Sequence, residues 1–164
     1  MTAHAGTTAD TLIGGTANDT LTANAGMDTL TGGSGNDTFV ITTASTNVNS
    51  YATITDAHVG DTIALIANHN AVPVYNDTFT QSAVTLGSTA VFQDYANAVI
   101  HSTSVGAIDW FQYSGNTYIV ENQSGGTSFV NGTDVIVKLT GTVDLSHTSL
   151  NVGSAATHAT LLIG

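Results

Sequence analysis

Residues 10–39 read DTLIGGTANDTLTANAGMDTLTGGSGNDTF, and the spacing inside this stretch decides the fold. An aspartate recurs every nine residues, and each is followed by threonine and then by a large apolar residue. The aspartates are Asp10, Asp19, Asp28 and Asp37. The apolar residues are Leu12, Leu21, Leu30 and Phe39. Each unit is long enough for one tight turn and one short strand, so two units complete one coil of a flattened right-handed helix.

The coil predicts two facing sheets with a thin apolar core between them. Apolar residues two units apart belong to the same sheet, which places Leu12 and Leu30 in one sheet and Leu21 and Phe39 in the other. The turns need glycine because several of their positions take positive φ. The two best turns are GGTAND at 14–19 and GGSGND at 32–37.

Turns two units apart stack on the same edge of the coil, which brings Asp19 beside Asp37 and Asp10 beside Asp28. Two carboxylates so close repel each other unless a cation lies between them. Calcium accepts about six to eight oxygen ligands from carboxylates and carbonyls, whereas magnesium demands a tighter octahedron and keeps its waters. The spacing therefore predicts a calcium-binding parallel β-roll. The alternative is a β-solenoid with Asp-Thr turns and no metal.

The two edges are not equally regular. The turns at 14–19 and 32–37 both contain double glycine, and only Ala17 departs from the pattern. The turns of the other edge read AGTTAD at 5–10 and ANAGMD at 23–28, and alanine adopts a left-handed conformation only at a cost.

We therefore expect one well-formed calcium site at Asp19 and Asp37 and a weaker one at Asp10 and Asp28. Main-chain oxygens of the turns complete the expected ligand set. The turn residues assigned to these sites are Gly15, Ala17, Gly26, Gly33 and Gly35.

The unit follows the signature G-G-x-G-x-D-x-U-x, where U is a large apolar residue, and it resembles the RTX repeats of bacterial proteins exported by type I secretion. The segment ITDAHVGDTIAL at 54–65 is similar to the one that follows the repeats in serralysin-type and other RTX C-terminal regions. The blocks at 110–122 and 134–146 look like the C-terminal domain of surface-layer-type RTX proteins. The resemblance implies calcium binding, export and an extracellular or cell-surface location.

Composition restricts the partners. Twelve acidic residues face a single basic one, Lys138, which gives a net charge of −11 and makes a nucleic-acid or anionic-membrane partner implausible. The chain has no cysteine, so in a secreted domain a metal would replace disulfides as the staple. The first six residues do not resemble a Sec signal, and no apolar run is long enough to cross a membrane. We expect an excised C-terminal piece of a longer protein.

The predicted fold class is mainly all-β, with a short N-terminal parallel β-roll stacked on a β-sandwich-like C-terminal part that contains one α-helix. Three segments are expected: the roll at 5–41, a β-rich domain at 51–152, and a tail at 153–164. The tail is either a type I secretion signal or a frayed terminus or edge strand.

Alternation and turn residues predict the elements of the β-rich domain. Expected strands cover 51–56, 60–66 and 135–140, and a hairpin joins 107–113 to 116–121. The 68–76 segment, with the only proline, is expected to be loop. A helix spans about 90–101, capped by Ser88 or Thr89, with Phe92 and Tyr95 in the core rather than in a ligand-stacking stripe.

Asp56 and Asp61 have two possible roles. They are either further calcium ligands or turn residues that cap the flanking strands, and the second interpretation is favoured.

The sequence favours a non-catalytic chain. None of the six histidines lies in a zinc-binding spacing such as HExxH, no GxSxG motif is present, and cysteine and arginine are absent. The resulting hypothesis is a calcium-binding C-terminal module of a type I secreted surface-layer or cell-surface protein. Its partners would be calcium, the type I secretion apparatus and other copies in a surface layer. Two alternatives stay open: the C-terminal module of a secreted RTX hydrolase, and a sugar-binding adhesin module. The adhesin would have Trp110 and Tyr113 on an exposed sheet face, whereas we expect Trp110 to be buried.

Overall fold

A computed structural model describes residues 1–66, 77–100, 104–151 and 159–164. In these ranges the chain forms thirteen β-strands and one short α-helix. The first seven strands are β1 Thr2–His4, β2 Thr11–Gly15, β3 Thr20–Ala23, β4 Thr29–Gly33, β5 Thr38–Ile41, β6 Ala52–Ile54 and β7 Thr62–Leu65. The remaining elements are β8 Thr78–Phe79, α1 Phe92–Val99, β9 Ala107–Tyr113, β10 Asn116–Asn122, β11 Val135–Leu139, β12 Ser149–Asn151 and β13 Ala159–Leu162.

The N-terminal strands alternate between two parallel sheets, as the nine-residue period predicts. In one sheet β3 pairs with β5, which sets Leu21 opposite Phe39. In the other, β2 pairs with β4, which sets Leu12 opposite Leu30. Leu21, Leu30 and Phe39 have no solvent exposure. The predicted β-roll and its inward-facing residues are therefore confirmed.

Both sheets of the roll continue into the rest of the chain. The first sheet has the strand order β1-β3-β5-β7-β13-β12, and the second has the order β2-β4-β6-β11-β10-β9-β8. One apolar core lies between them and joins Phe39 of the roll to Trp110 of β9 and Leu161 of β13. The β-sandwich-like part therefore extends the two sheets of the roll. Separate domains at 5–41 and 51–152 stay a prediction.

The outer face of the second sheet carries another apolar cluster, which α1 covers. Ala96, Val99 and Ile100 pack there against Phe111 and Tyr118. The rings of Phe92 and Tyr118 are 4.8 Å apart, so the apolar stripe of the helix belongs to the core, as predicted.

The predicted helix cap is wrong. The helix begins at Phe92, and a side-chain oxygen of Asp94 accepts a 2.9 Å hydrogen bond from the amide of Val91. Ser88 and Thr89 lie in a preceding turn, which is closed by a 3.0 Å bond from Ala90 to Gly87.

The residues of the predicted tail that are described belong to the fold. Strand β13 lies between β7 and β12 in the first sheet, and Ala159, Leu161 and Ile163 are buried. Residues 152–158 and the predicted loop at 68–76 lie outside the described residues. The described helix falls short of the length and apolar character needed to cross a membrane.

Candidate metal centre

Three turns stack along one edge of the molecule, which we call the aspartate edge. They comprise residues 14–19, 32–37 and 56–61, and they join β2 to β3, β4 to β5 and β6 to β7. Gly15 lies in register with Gly33, and its carbonyl oxygen accepts a 2.8 Å hydrogen bond from the amide of Ser34. The first two turns therefore contact each other through their backbones.

Each aspartate on this edge accepts a hydrogen bond from the turn before it. The amide of Asp19 donates to Oδ1 of Asp37 at 2.8 Å, and the amide of Asp37 donates to Oδ1 of Asp61 at 2.8 Å. The terminal ammonium group of Met1 donates to Oδ1 of Asp19 in the same way. The structure thus brings together the predicted pair, Asp19 and Asp37, and adds Asp61 from outside the repeats.

The second oxygen of each predicted carboxylate is buried without a partner. Oδ2 of Asp19 and Oδ2 of Asp37 are inaccessible and accept no hydrogen bond, while the whole residues are 4% and 1% exposed. A buried, unpaired carboxylate oxygen is costly, and a bound cation removes that cost. These two oxygens therefore fit a hard divalent ion.

Glycine keeps the space beside these oxygens open. A Cβ atom at Gly14 would lie 2.6 Å from Oδ2 of Asp19, and one at Gly32 would lie 2.1 Å from Oδ2 of Asp37. Gly33 and Gly35 have φ of +100° and +116°, and their backbones press against Gly15 and Ala17 of the turn above. Gly15, Ala17, Gly33 and Gly35 of the expected ligand set thus lie on the same edge as Asp19 and Asp37.

The opposite edge satisfies its aspartates with main-chain amides. Oδ1 of Asp28 accepts from Asp10 at 2.9 Å and Oδ2 accepts from Asn24 at 3.0 Å. Oδ2 of Asp10 accepts from Gly6 at 2.7 Å. The structure brings Asp10 and Asp28 together, but it leaves no buried, unpaired oxygen at Asp28 that demands a cation.

The irregular turn of this edge avoids the strain that its alanines would cause. Gly26 takes the positive φ of +128°, while in the described residues the only non-glycine residue with positive φ is Ser114. Ala23 belongs to β3 instead of the turn.

The third turn of the aspartate edge uses protein donors for all four carboxylate oxygens. Oδ1 and Oδ2 of Asp56 accept from Gly32 at 2.9 Å and Gly33 at 2.8 Å. Oδ2 of Asp61 accepts from the amide of His58 at 3.0 Å and lies 2.8 Å from its Nδ1. Asp56 and Asp61 are turn residues between two strands, as the favoured interpretation has it, and whether they also bind metal stays open.

Sequence reasoning missed the structural role of Asp134. This fully buried side chain accepts hydrogen bonds from the amides of Gln123, Ser124 and Val130 at 2.7–2.8 Å, and also from the Ser124 hydroxyl. The only sequence signal was its place after the turn at Asn131 and Gly132. Asp134 is therefore a buried anchor for the connection between β10 and β11.

Comparison with known proteins identifies the repeats. Residues 4–39 match the family model of the RTX calcium-binding nonapeptide repeat in four copies. No curated protein matches the chain. Residues 4–39 are RTX repeats, and such repeats bind calcium, are in general a non-catalytic module and occur in secreted bacterial proteins.

Proposed function

We propose that this chain is a non-catalytic module of a type I secreted surface-layer or cell-surface protein, and that calcium folds its repeats after export. Its principal calcium site consists of the carboxylates of Asp19 and Asp37. Main-chain oxygens in the two turns complete the ligand set, from Gly15, Ala17, Gly33 and Gly35. A weaker site involves Asp10, Asp28 and the turn at Gly26.

One observation carries the proposal: the buried Oδ2 atoms of Asp19 and Asp37 have no hydrogen-bond donor. Two carboxylates held in this state oppose folding, because the Oδ2 atom of each has lost its water without gaining a hydrogen-bond donor. Calcium supplies the missing partner, and the energy of binding becomes energy of folding. The unequal satisfaction of the two edges supports the ranking of the two sites.

Repulsion between the carboxylates also favours export in an unfolded state. In a calcium-poor cytoplasm the carboxylates repel one another, and the net charge of −11 adds to the repulsion. The repeats then stay unfolded and pass through a channel. Outside the cell, calcium reaches the concentrations at which extracellular modules bind it, about 0.1–1 mM, and the roll folds.

Composition favours the surface-layer branch over a module from a secreted hydrolase. Only 8% of residues are charged, and the chain is rich in threonine, asparagine and glycine. The sugar-binding alternative receives no support at Trp110. This side chain is 4% exposed, and its Nε1 donates to the Gln81 carbonyl at 3.2 Å, so it offers no open stacking surface.

Calorimetric titration with calcium tests the proposal. We expect heat of binding and a gain of β circular dichroism in the full chain, and loss of both in excess chelator. The double variant Asp19→Ala, Asp37→Ala should lose the principal site, whereas Asp144→Ala, at an exposed position, should bind as the unsubstituted chain does. An unchanged β spectrum with chelator would refute calcium-triggered folding.

A further inference from the structure

We propose that the turn at 56–61 couples calcium binding to strand β13, so that residues 159–163 are locked into the first sheet only while calcium is bound. The inference rests on the proposed site at Asp19 and Asp37. It assigns a role other than metal binding to the third turn of the aspartate edge: this turn links the folding of the calcium site to the pairing of β13.

The turn at 56–61 receives its hydrogen bonds from the turn that contains Asp37. Gly32 and Gly33 donate their amides to the carboxylate of Asp56, and Asp37 donates its amide to Asp61. These amides converge on the carboxylates only when residues 32–37 are folded. Without calcium, Asp56 therefore loses both of these donors, and Asp61 keeps only its bond from His58 inside the turn.

The other side of the same turn holds the strand β13. The amide of Gly60 donates to the carbonyl of Ile163 at 2.9 Å, and the amide of Ile163 donates to the carbonyl of Asp61 at 2.9 Å. The adjoining β13 pairs antiparallel with β7, with Leu161 opposite Ile63. The turn thus connects the proposed calcium site to the last residues of the first sheet.

Strand order makes β13 dependent on this connection. In the first sheet β13 lies between β7 and β12, and β12 pairs with no other described strand. Strand β7 in turn pairs with β5, which follows the turn of Asp37. When the roll opens, β7 loses its pairing with β5, and the β12–β13 pair, which the described sheet holds only through β7, is freed with it.

The β9–β10 hairpin of the second sheet is stabilised by contacts outside the roll. Strands β9 and β10 pair along seven residues, β11 adds a third antiparallel strand, and α1 covers their outer face. The aromatic contacts there include Phe111 and Tyr118 with ring centres 5.2 Å apart. This part touches the roll through the pairing of β11 with β6 and through the shared core. Its three strands and α1 also hold one another, so we expect it to stay folded without calcium.

Through this coupling, calcium controls whether another protein can bind residues 159–163. In the folded protein Leu161 and Ile163 are buried and the backbone of the strand is paired on both sides. A protein that reads this segment in extended form, such as an export apparatus, can do so only in the calcium-free state. Folding then withdraws the segment from it.

Single cysteine substitutions in this cysteine-free chain provide the test. Leu161→Cys reports on a buried position of β13, and its neighbour Leu162→Cys, at a position 45% exposed, is the matched control. Val120→Cys reports on the second sheet, where the residue is 1% exposed. Labelling by a thiol reagent is measured with calcium at about one hundred times its dissociation constant and with excess chelator.

We expect calcium to slow labelling of Leu161→Cys by about 100-fold, which is the population shift produced by ligand at that excess. Leu162→Cys should label rapidly and Val120→Cys slowly in both conditions. Adding Asp37→Asn to Leu161→Cys should speed labelling at the same calcium concentration by about tenfold or more, in proportion to the weaker calcium binding. Hydrogen exchange of residues 159–163 in the unsubstituted chain, slow with calcium and fast with chelator, checks that the cysteine has not loosened the strand.

Three results separate the coupling from the proposed function. If calcium binds and folds the roll but Leu161→Cys and the amides of 159–163 are equally protected without it, the coupling is refuted. If Val120→Cys is released together with Leu161→Cys, calcium controls the whole fold and the specific coupling is again refuted. If calcium produces neither binding heat nor β structure, the proposed function itself fails.

Discussion

The amide of Asp19 lies 2.8 Å from Oδ1 of Asp37, eighteen residues further along the chain. This contact uses one oxygen of the carboxylate and leaves Oδ2 buried and unpaired. Asp10 and Asp28 repeat the first half of the relationship at 2.9 Å, but the amide of Asn24 satisfies the second oxygen of Asp28. The same spacing thus produces two chemically different edges.

Asp37→Asn should weaken calcium binding by at least tenfold, about 1.4 kcal/mol, because it removes a charge from the pair with the unpaired oxygens. Asp28→Asn is the matched control on the other edge and should have a smaller effect, since main-chain amides already satisfy both of its oxygens. Titration calorimetry of both variants measures the difference. A larger loss for Asp28→Asn would reverse the proposed order of the sites.

Gly33→Ala should destabilise the calcium-bound protein by about 1–3 kcal/mol, the usual cost of a strained backbone position. Gly33 has φ of +100°, and an added Cβ would lie 2.0 Å from the carbonyl oxygen of Gly15. Gly87→Ala is the control, because nothing lies within 4 Å of its Cβ position. Urea unfolding in calcium compares the two. Equal midpoints would show that the turns need not approach as closely as they do.

Asp134→Ala should destabilise the protein by about 3 kcal/mol or more, because three main-chain amides of the β10–β11 connection lose a buried, charged acceptor. The exposed Asp144→Ala should leave the unfolding midpoint nearly unchanged. Thermal unfolding with calcium present records both. The decrease for Asp134→Ala should persist at saturating calcium, since the residue lies apart from the aspartate edge, and a decrease that calcium abolished would contradict this assignment.

The protein should lose stability in alkali through Tyr118. Burial raises the pKa of the Tyr118 phenol, and the neighbouring Tyr51 raises this pKa further. The contribution of this group is fully present below the unfolded pKa of about 10 and is lost as pH rises above it, because the unfolded chain ionises first. The unfolding free energy should therefore fall from pH 9 to pH 11 in the unsubstituted chain, and it should fall by less in Tyr118→Phe. An identical pH dependence would exclude Tyr118 as the cause.

Local repetition made the roll predictable from its residues. The nine-residue period assigns Leu21 and Phe39 to one sheet and Leu12 and Leu30 to the other, and the structure has both pairs in register. The β9–β10 hairpin was equally predictable from its residues. Ser114 and Gly115 both take the positive φ that a two-residue hairpin turn requires. In each case the deciding interactions lie within neighbouring residues or recur at a constant interval.

The place of the third turn on the aspartate edge, and that of the last strand inside the first sheet, escaped such reasoning because their partners are distant in sequence. Asp61 joins the aspartate edge after an interval of twenty-four residues instead of eighteen, and its turn lacks the glycine pattern. Strand β13 looks like a tail by composition, yet pairing with β7 places Leu161 opposite Ile63 in the interior of the first sheet. Residue types and their spacing alone thus established the coil and the aspartates in its turns. The tertiary structure decided which carboxylate oxygens stay unpaired and which strand follows β7 in the first sheet. Both depend on pairing between strands that are distant in sequence, which no local pattern encodes.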